Sequence, residues 1–530
     1  MNFFYYILYY LIINSFLFSL DSFPPINKLP TKSNADEYFS NNIENSSIDR
    51  LDVKPIYSKF NNLNSSRDEF DFEDASHLLM RTTIGPTLEE INAAVDIGLD
   101  ETINKLFEKI EIPNPPGDWV YHAAPPNFSD LNSTQKDSIR DEWENRILLM
   151  GIWWIDLIKY SEMNIREMMV LFWHDHFATS AETVQFAPSM YLQNKLFRKN
   201  ATGNFKNLVN SINYDPAMLV WLDNDKNYYI NENNNTINEN YSRELLELFT
   251  MGEGNYSQQD IVESARALTG IDTDGMKSFF SPIRHDFGDK NILGIEGDHN
   301  PEDVIDIIFE QQVTAEFICK KIYQWFVYEY PDEDIINQMV NILLDNNYEI
   351  EPVLRALLSS DHFFDPNFRG AKYKNPIWYS VGTFRQLYLD YPLEHEFIIW
   401  YSYPLGEQLF YPPDVSGWDG YRSWINTYTL PYRKLFVNQV VDGYEGILPE
   451  WDNITTFAEK FDISNPEVLM HNMINYLFTI KPSEQTQSLL LDELLDGTSM
   501  EEWDLYSDGS EQRLKDVVKH MMRLEEFQLR

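Results

Sequence analysis

The sequence predicts a mainly α-helical protein: one large helical domain, of one lobe or two, with long irregular loops. Three observations predict it. Helix-capping residues stand ahead of apolar runs, large apolar side chains recur at helical spacing, and hairpin dipeptides between alternating runs are scarce. Asn164 with Glu167 has the spacing of a capping box ahead of the run from Ile165 to Trp173. Ser257 with Asp260 repeats the device ahead of Ile261 to Thr269, and Gly270 stops that helix. Asn300, Pro301 and Asp303 start another, with proline at the first helical position, where its missing N–H costs nothing. Between Arg140 and Tyr160, Trp143, Ile147, Met150, Trp154 and Leu157 mark one face of a helix.

The two ends of the chain differ in kind. Phe3 to Leu20 carries no charge and is dominated by Phe, Tyr, Ile and Leu, so residues 1–20 read as a signal peptide or an N-terminal membrane anchor. At about 18 residues the run is just long enough to span a bilayer. Either reading places the rest of the chain outside the cytoplasm, secreted, periplasmic or envelope-anchored. Residues 21–71 hold Pro24-Pro25, Pro30 and paired serines with no apolar period, and read as a disordered linker. The helical domain runs from 72 to 530. Within it, Tyr228 to Asn240 is Asn-rich and reads as an exposed loop, while Pro404 to Trp424 is a long loop too apolar to be a linker; neither is a domain boundary.

Composition excludes some partners. With 41 basic residues against 84 acidic ones the formal charge is −43, a field that repels phosphate backbones, so no nucleic-acid partner is expected. Aromatics make up 15% of the chain, enough for a densely packed interior or for platforms under a flat ligand. The single cysteine, Cys319, permits neither an intrachain disulfide nor a cysteine zinc cluster and reads as a small buried hydrophobe.

Four segments could carry chemistry. Phe172-Trp173-His174-Asp175-His176-Phe177 offers two imidazoles, but on a regular helix residues two apart diverge by about 200°, so one shared ion requires the helix to end near His174. In the stretch Asn238 to Gly254, Tyr241, Leu245, Leu248 and Phe249 form an apolar stripe, and Asn240, Glu244 and Glu247 share another face. Glu244 and Glu247 could hold a cation or divide acid and base roles; Arg243 with Glu247 also suits a surface ion pair. His285-Asp286 lies beside Gly288 and Lys290 and could supply a ligand and an orienting or basic carboxylate. Tyr411 to Gly420, followed by Trp424, fixes an extended entry at Pro412-Pro413, with Trp418 and Trp424 lining a pocket mouth or sealing the core. No G-x-S-x-G, H-E-x-x-H or phosphate-cradling glycine loop is present.

Taken in order, these strings resemble the bacterial family known as domain of unknown function 1800. The resemblance begins at His77-Leu78-Leu79-Met80-Arg81 with Gly85-Pro86-Thr87. It continues through Phe172 to Ser180, Gly203-Asn204-Phe205, Asp215-Pro216-Ala217-Met218 and Leu222-Asp223-Asn224. Asn238 to Gly254, Ala265 to Gly270, His285-Asp286 with Lys290 and Gly294, and Pro412-Pro413 with Gly417-Trp418 complete it. It implies a large, mainly helical protein, often exported, and assigns no activity or catalytic residue. The chain departs from the pattern in an Asn-rich insertion at Ile230 to Thr236 and in a first segment without basic residues.

Two functions remain open at this level. The first is a metal-assisted hydrolase of the cell envelope or exterior. In it, His174, His176 and His285 ligate a divalent metal ion, Glu244 or Glu247 acts as ligand or base, and Asp286 orients an imidazole or serves as base. The second is a non-enzymatic surface, binding or assembly protein in which Arg198, Arg243, Arg266, the glutamates and the histidines fix helix packing.

Overall fold

Helices dominate because local capping and long-range burial agree along most of the chain. The computed structural model describes residues 58–65, 67, 69–122 and 131–530. The segment 1–20 and the linker up to residue 57 lie outside the described residues. Among the described residues there are 21 α-helices and three two-stranded antiparallel hairpins.

The helices that position the site are α1 (Phe72–Thr82), α2 (Leu88–Leu106), α3 (Ser133–Lys159), α4 (Arg166–His176) and α5 (Ala187–Lys199). They continue with α6 (Asn240–Glu244), α7 (Gln258–Ala267), α8 (Pro301–Phe309), α9 (Gln312–Phe326), α10 (Pro376–Gln386) and α11 (Glu394–Leu405). The capping box expected at α7 forms, the Ser257 N–H donating to Asp260 over 2.8 Å, and α8 starts at Asn300 as expected, with a box of its own in which the Asn300 N–H donates to Asp303 over 2.9 Å. The α3 face is as the spacing predicts, with Trp143, Ile147, Met150 and Trp154 buried, and the helix packs against α10 and α11. Cys319, on α9, is buried, and burial pushes its thiol up, consistent with an inert hydrophobe.

The box expected at Asn164 and Glu167 does not form. Asn164 still turns the chain, its Oδ1 accepting the Arg166 N–H over 2.9 Å, but Glu167 points inward. There it accepts the Trp154 indole N–H over 3.0 Å and pairs with Arg198. A buried guanidinium and indole offer a carboxylate more than one exposed amide does.

The end of the linker is also ordered. Ser58 Oγ and the Lys59 N–H both donate to Asp365, over 2.9 and 3.1 Å, and the Leu63 N–H donates to Gln338 over 3.1 Å. Within the stretch read as a disordered linker, Ser58, Lys59 and Leu63 are thus bonded to the helical body. The Asn-rich stretch forms an exposed hairpin, β1 (Tyr228–Asn231) with β2 (Asn234–Thr236), rather than an irregular loop. The second hairpin pairs β3 (Ile271–Thr273) with β4 (Ser278–Phe280). The third pairs β5 (Lys290–Ile292) with β6 (Ile295–Gly297) and lies on α7.

Gly85 marks the tightest crossing. It has φ +57°, and a Cβ there would lie 2.3 Å from the Cα of Gly382 in α10. The loop between α1 and α2 can lie on α10 only because neither residue has a side chain. Trp378 and Arg385 of α10 then reach back, donating to the carbonyls of Thr83 and Ile84 over 3.0 and 2.6 Å.

Asp215 caps the short helix Pro216–Trp221, accepting from the Met218 N–H and the Gln193 amide, each over 2.8 Å. Burial pushes its carboxyl up to about 7 despite those donors. With a folded pKa above the unfolded one, this group favours folding fully only below about pH 4, and the contribution is lost as pH rises through about 7. Asp215→Asn keeps the capping acceptor without the charge. It is expected to be more stable than the wild type by on the order of 2 kcal/mol near pH 9, and equal to it near pH 4. Urea melts of both proteins at the two pH values check this; a gap independent of pH would refute it.

Candidate functional site

The end of α4 and the loop after α11 meet to form a cleft of about 190 Å³. Phe172, Asp175 and His176 supply one wall from α4. Lys321 and Trp325 of α9, with Glu329 just beyond it, form a second. Lys372, Tyr373 and Asn375, which precede α10, and Glu407, which follows α11, stand deeper. Trp418, Tyr421 and Trp424 add aromatic rings, and Arg530 completes the lining.

The two strings that meet here are far apart in sequence and fit closely. Asp175 Oδ1 accepts the Trp418 N–H over 2.9 Å. Gly417 has φ +83°, and a Cβ on it would sit 2.4 Å from that same oxygen, so only glycine lets the loop reach the carboxylate. Trp418 and Trp424, each 9% exposed, do both jobs considered for them: they seal the fold and line the cleft.

Burial dominates the electrostatics. It pushes the Asp175 carboxyl up to about 6, even though the Trp418 N–H, Lys321 and Lys372 favour the charged form. Glu407 accepts the Ile377 N–H over 3.0 Å and the Asn375 amide over 3.3 Å. Its carboxyl is nevertheless pushed up to about 8, by burial first, against the Ile377 N–H and with Asp175 adding to the rise. Burial moves the Lys372 ammonium the other way, down to about 7, with Glu329 opposing and Arg530 and Arg81 reinforcing.

The structure does not bring the expected metal and catalytic residues together around one hollow. α4 stays helical through His176, so the two imidazoles diverge. His174 accepts the Phe410 N–H through Nε2 over 3.1 Å and packs on Trp154, Phe410 and Trp418. His176 donates through Nε2 to the Phe249 carbonyl over 3.0 Å and lines the cleft. Burial pushes both imidazoles down to about 3, with Lys321 adding to the effect at His176. His285 donates through Nδ1 to the Thr269 carbonyl over 3.0 Å, between Phe280 and Phe287. Asp286 accepts from Arg266 over 2.8 Å; burial tends to raise it, but that guanidinium holds it below the usual range. Among the described residues no three His, Cys, Asp or Glu side chains stand where they could hold one metal ion. The residues do not fit the divalent ion expected for them.

Glu244 and Glu247 meet a different local structure from the one their spacing suggests. After α6 the backbone widens into a π-helix, Leu245–Met251. A residue thus inserted shifts the side-chain register, so Arg243 does not pair with Glu247. It pairs with Glu239 over 3.1 Å, while Glu247 accepts from the Tyr256 hydroxyl. Glu244 is pushed up by burial, with Glu247 adding, Arg243 opposing and Asp414 adding. This π-turn is what touches the cleft: Leu248 lines it, and the Phe249 carbonyl holds His176.

The functional candidates missed in the sequence are Asp175, Lys372, Glu407 and Arg530. Asp175 lies inside the His-bearing string and beside two more conspicuous residues. The other three belong to no motif.

A helical body built around an internal cleft of mixed charge defines the class of protein. The chain belongs to the family described as protein of unknown function (DUF1800), whose model matches residues 77–529. No curated protein and no solved structure matches it.

Proposed function

We propose that the chain is an enzyme that hydrolyses a small polar substrate by acid–base chemistry in this cleft. The observation that carries the reading is that Asp175 and Glu407, far apart in the sequence, line one hollow together with Lys372. A pair of carboxyls whose environments push their pKa values apart divides the proton work. Ionised Asp175 suits the base that activates water, and Glu407, kept protonated by burial and by that neighbouring charge, suits the acid that protonates the leaving group. Activity should then peak between about pH 6 and about pH 8. The charge-free first twenty residues support a site of action outside the cytoplasm.

Wild type, Asp175→Asn and Glu407→Gln should be run against chromogenic esters, glycosides, phosphoesters and amides. Turnover of one class is expected, with each variant slower by about 100-fold, roughly 2.7 kcal/mol in the barrier. Turnover of none by the wild type, or equal rates in wild type and Asp175→Asn, would remove the reading. A second reading, a non-enzymatic surface, binding or assembly protein, draws support from Arg198, Arg266 and His174, whose polar groups hydrogen-bond within the fold.

A further inference from the structure

We infer that the cleft takes a ligand bearing a small oxyanion, a carboxylate or a phosphate, gripped between Lys372 and Arg530. The inference rests on the cleft being the working site proposed above and adds the class of molecule it holds.

The argument is a charge count at depth. Arg81, Lys372, Lys374, Arg433 and Arg530 are all buried in this region. Arg81 is satisfied by the carbonyls of Phe326, Val327 and Phe368, at 2.8, 2.8 and 2.6 Å. Arg433 donates to the Lys374 carbonyl over 2.8 Å. Each keeps an unpartnered Nε, as Arg530 does, but has carbonyl oxygens on its other nitrogens.

The other three are under-served. Lys374 Nζ has no hydrogen-bond partner and rests 3.5 Å from the centroid of Phe527. Lys372, 8% exposed, has an ion pair with Glu329 of 3.9 Å, too long for a hydrogen bond. Arg530, 3% exposed, has an unpartnered Nε and a 3.8 Å contact from Nη1 to the Met168 sulfur, yet it lines the cleft. Of the carboxylates around the cleft, Glu407 is deeply buried, and burial favours its neutral form; Asp419 is exposed, Glu329 is partly so, and Asp175, mostly buried, offsets Lys372 when ionised, which leaves Arg530 without an acidic partner in an ion pair.

Buried cations left without close counter-charge are costly, and an oxyanion between them removes the cost. A guanidinium fork matches the paired oxygens of a carboxylate or phosphate, and the ammonium of Lys372 adds a point charge beside it. The aromatic rings of Trp418 and Tyr421 in the lining would pack on the remainder of the ligand.

Calorimetric titration of the full chain with inorganic phosphate and with acetate tests it. Saturable one-site binding of one of the two is expected, and which one answers separates phosphate from carboxylate ligands. Lys372→Met should weaken that binding by about tenfold or more, and Lys372→Arg should largely restore it. A second measurement needs no variant: the rate at which acetic anhydride acylates Lys372 in the native protein, read by mass spectrometry, should fall about fivefold with the bound anion present. Saturable heat from neither anion overturns the inference, as does binding that leaves both the acylation rate and the Lys372→Met affinity unchanged. Anion binding without turnover of any substrate would leave this inference standing and remove the enzymatic reading. Turnover without anion binding would do the reverse.

Discussion

Gly85→Ala is expected to destabilise the protein by roughly 4 kcal/mol, close to the limit of what single substitutions do. Part of this is backbone: φ is +57° there, where an L side chain costs about 1–2 kcal/mol. The larger part is steric. The new methyl would stand 2.3 Å from Gly382 Cα and 2.7 Å from its carbonyl oxygen, and both are main-chain atoms of a helix that cannot rotate aside. The loop must lift instead, stretching the bonds from Trp378 and Arg385 to the Thr83 and Ile84 carbonyls. Denaturant midpoints of the variant and the wild type measure the loss. A difference under about 1 kcal/mol would mean that the crossing is looser than the geometry states.

Arg198→Met should cost about 3 kcal/mol, because it leaves the buried Glu167 with only the Trp154 indole and a longer 3.5 Å ion pair to Arg166. The pair is almost wholly enclosed, Arg198 also donates from Nε to Asn194 over 3.0 Å, and its guanidinium lies 4.9 Å from the Trp153 ring centroid. The double variant Glu167→Met/Arg198→Met removes both charges and keeps most of the volume, so it should recover the greater share of that loss. A double-mutant cycle by urea melts reads the coupling. Two single losses that merely add would show that the pair has no special role and that the cost is only packing.

How much was legible in the sequence follows from how far each partner lies along the chain. The α7 and α8 caps and the α3 face are decided within a few turns, and the structure agrees with the reading. Glu167 also stands three residues after a capping residue, but its decisive partners are Trp154 and Arg198, so a local rule misassigns it. The π-turn defeats spacing differently: the widened backbone breaks the four-residue step on which pairing Arg243 with Glu247 depends. The family strings do cover part of the cleft, since Asp175 and Gly417-Trp418 lie inside them, but the two histidines beside Asp175 drew the chemistry toward metal ligation. Lys372, Glu407 and Arg530 gain meaning only from one another, and each is an ordinary charged residue in its own neighbourhood.

Three of the 13 tryptophans, Trp325, Trp418 and Trp424, stand around the cleft. Indole emission shifts in colour and yield with the water and charge around it, so a guest displacing solvent there would alter the glow of this subset against a constant background from the rest. The hollow thus carries a built-in optical gauge, and its filling can be followed in the unlabelled, unmodified chain.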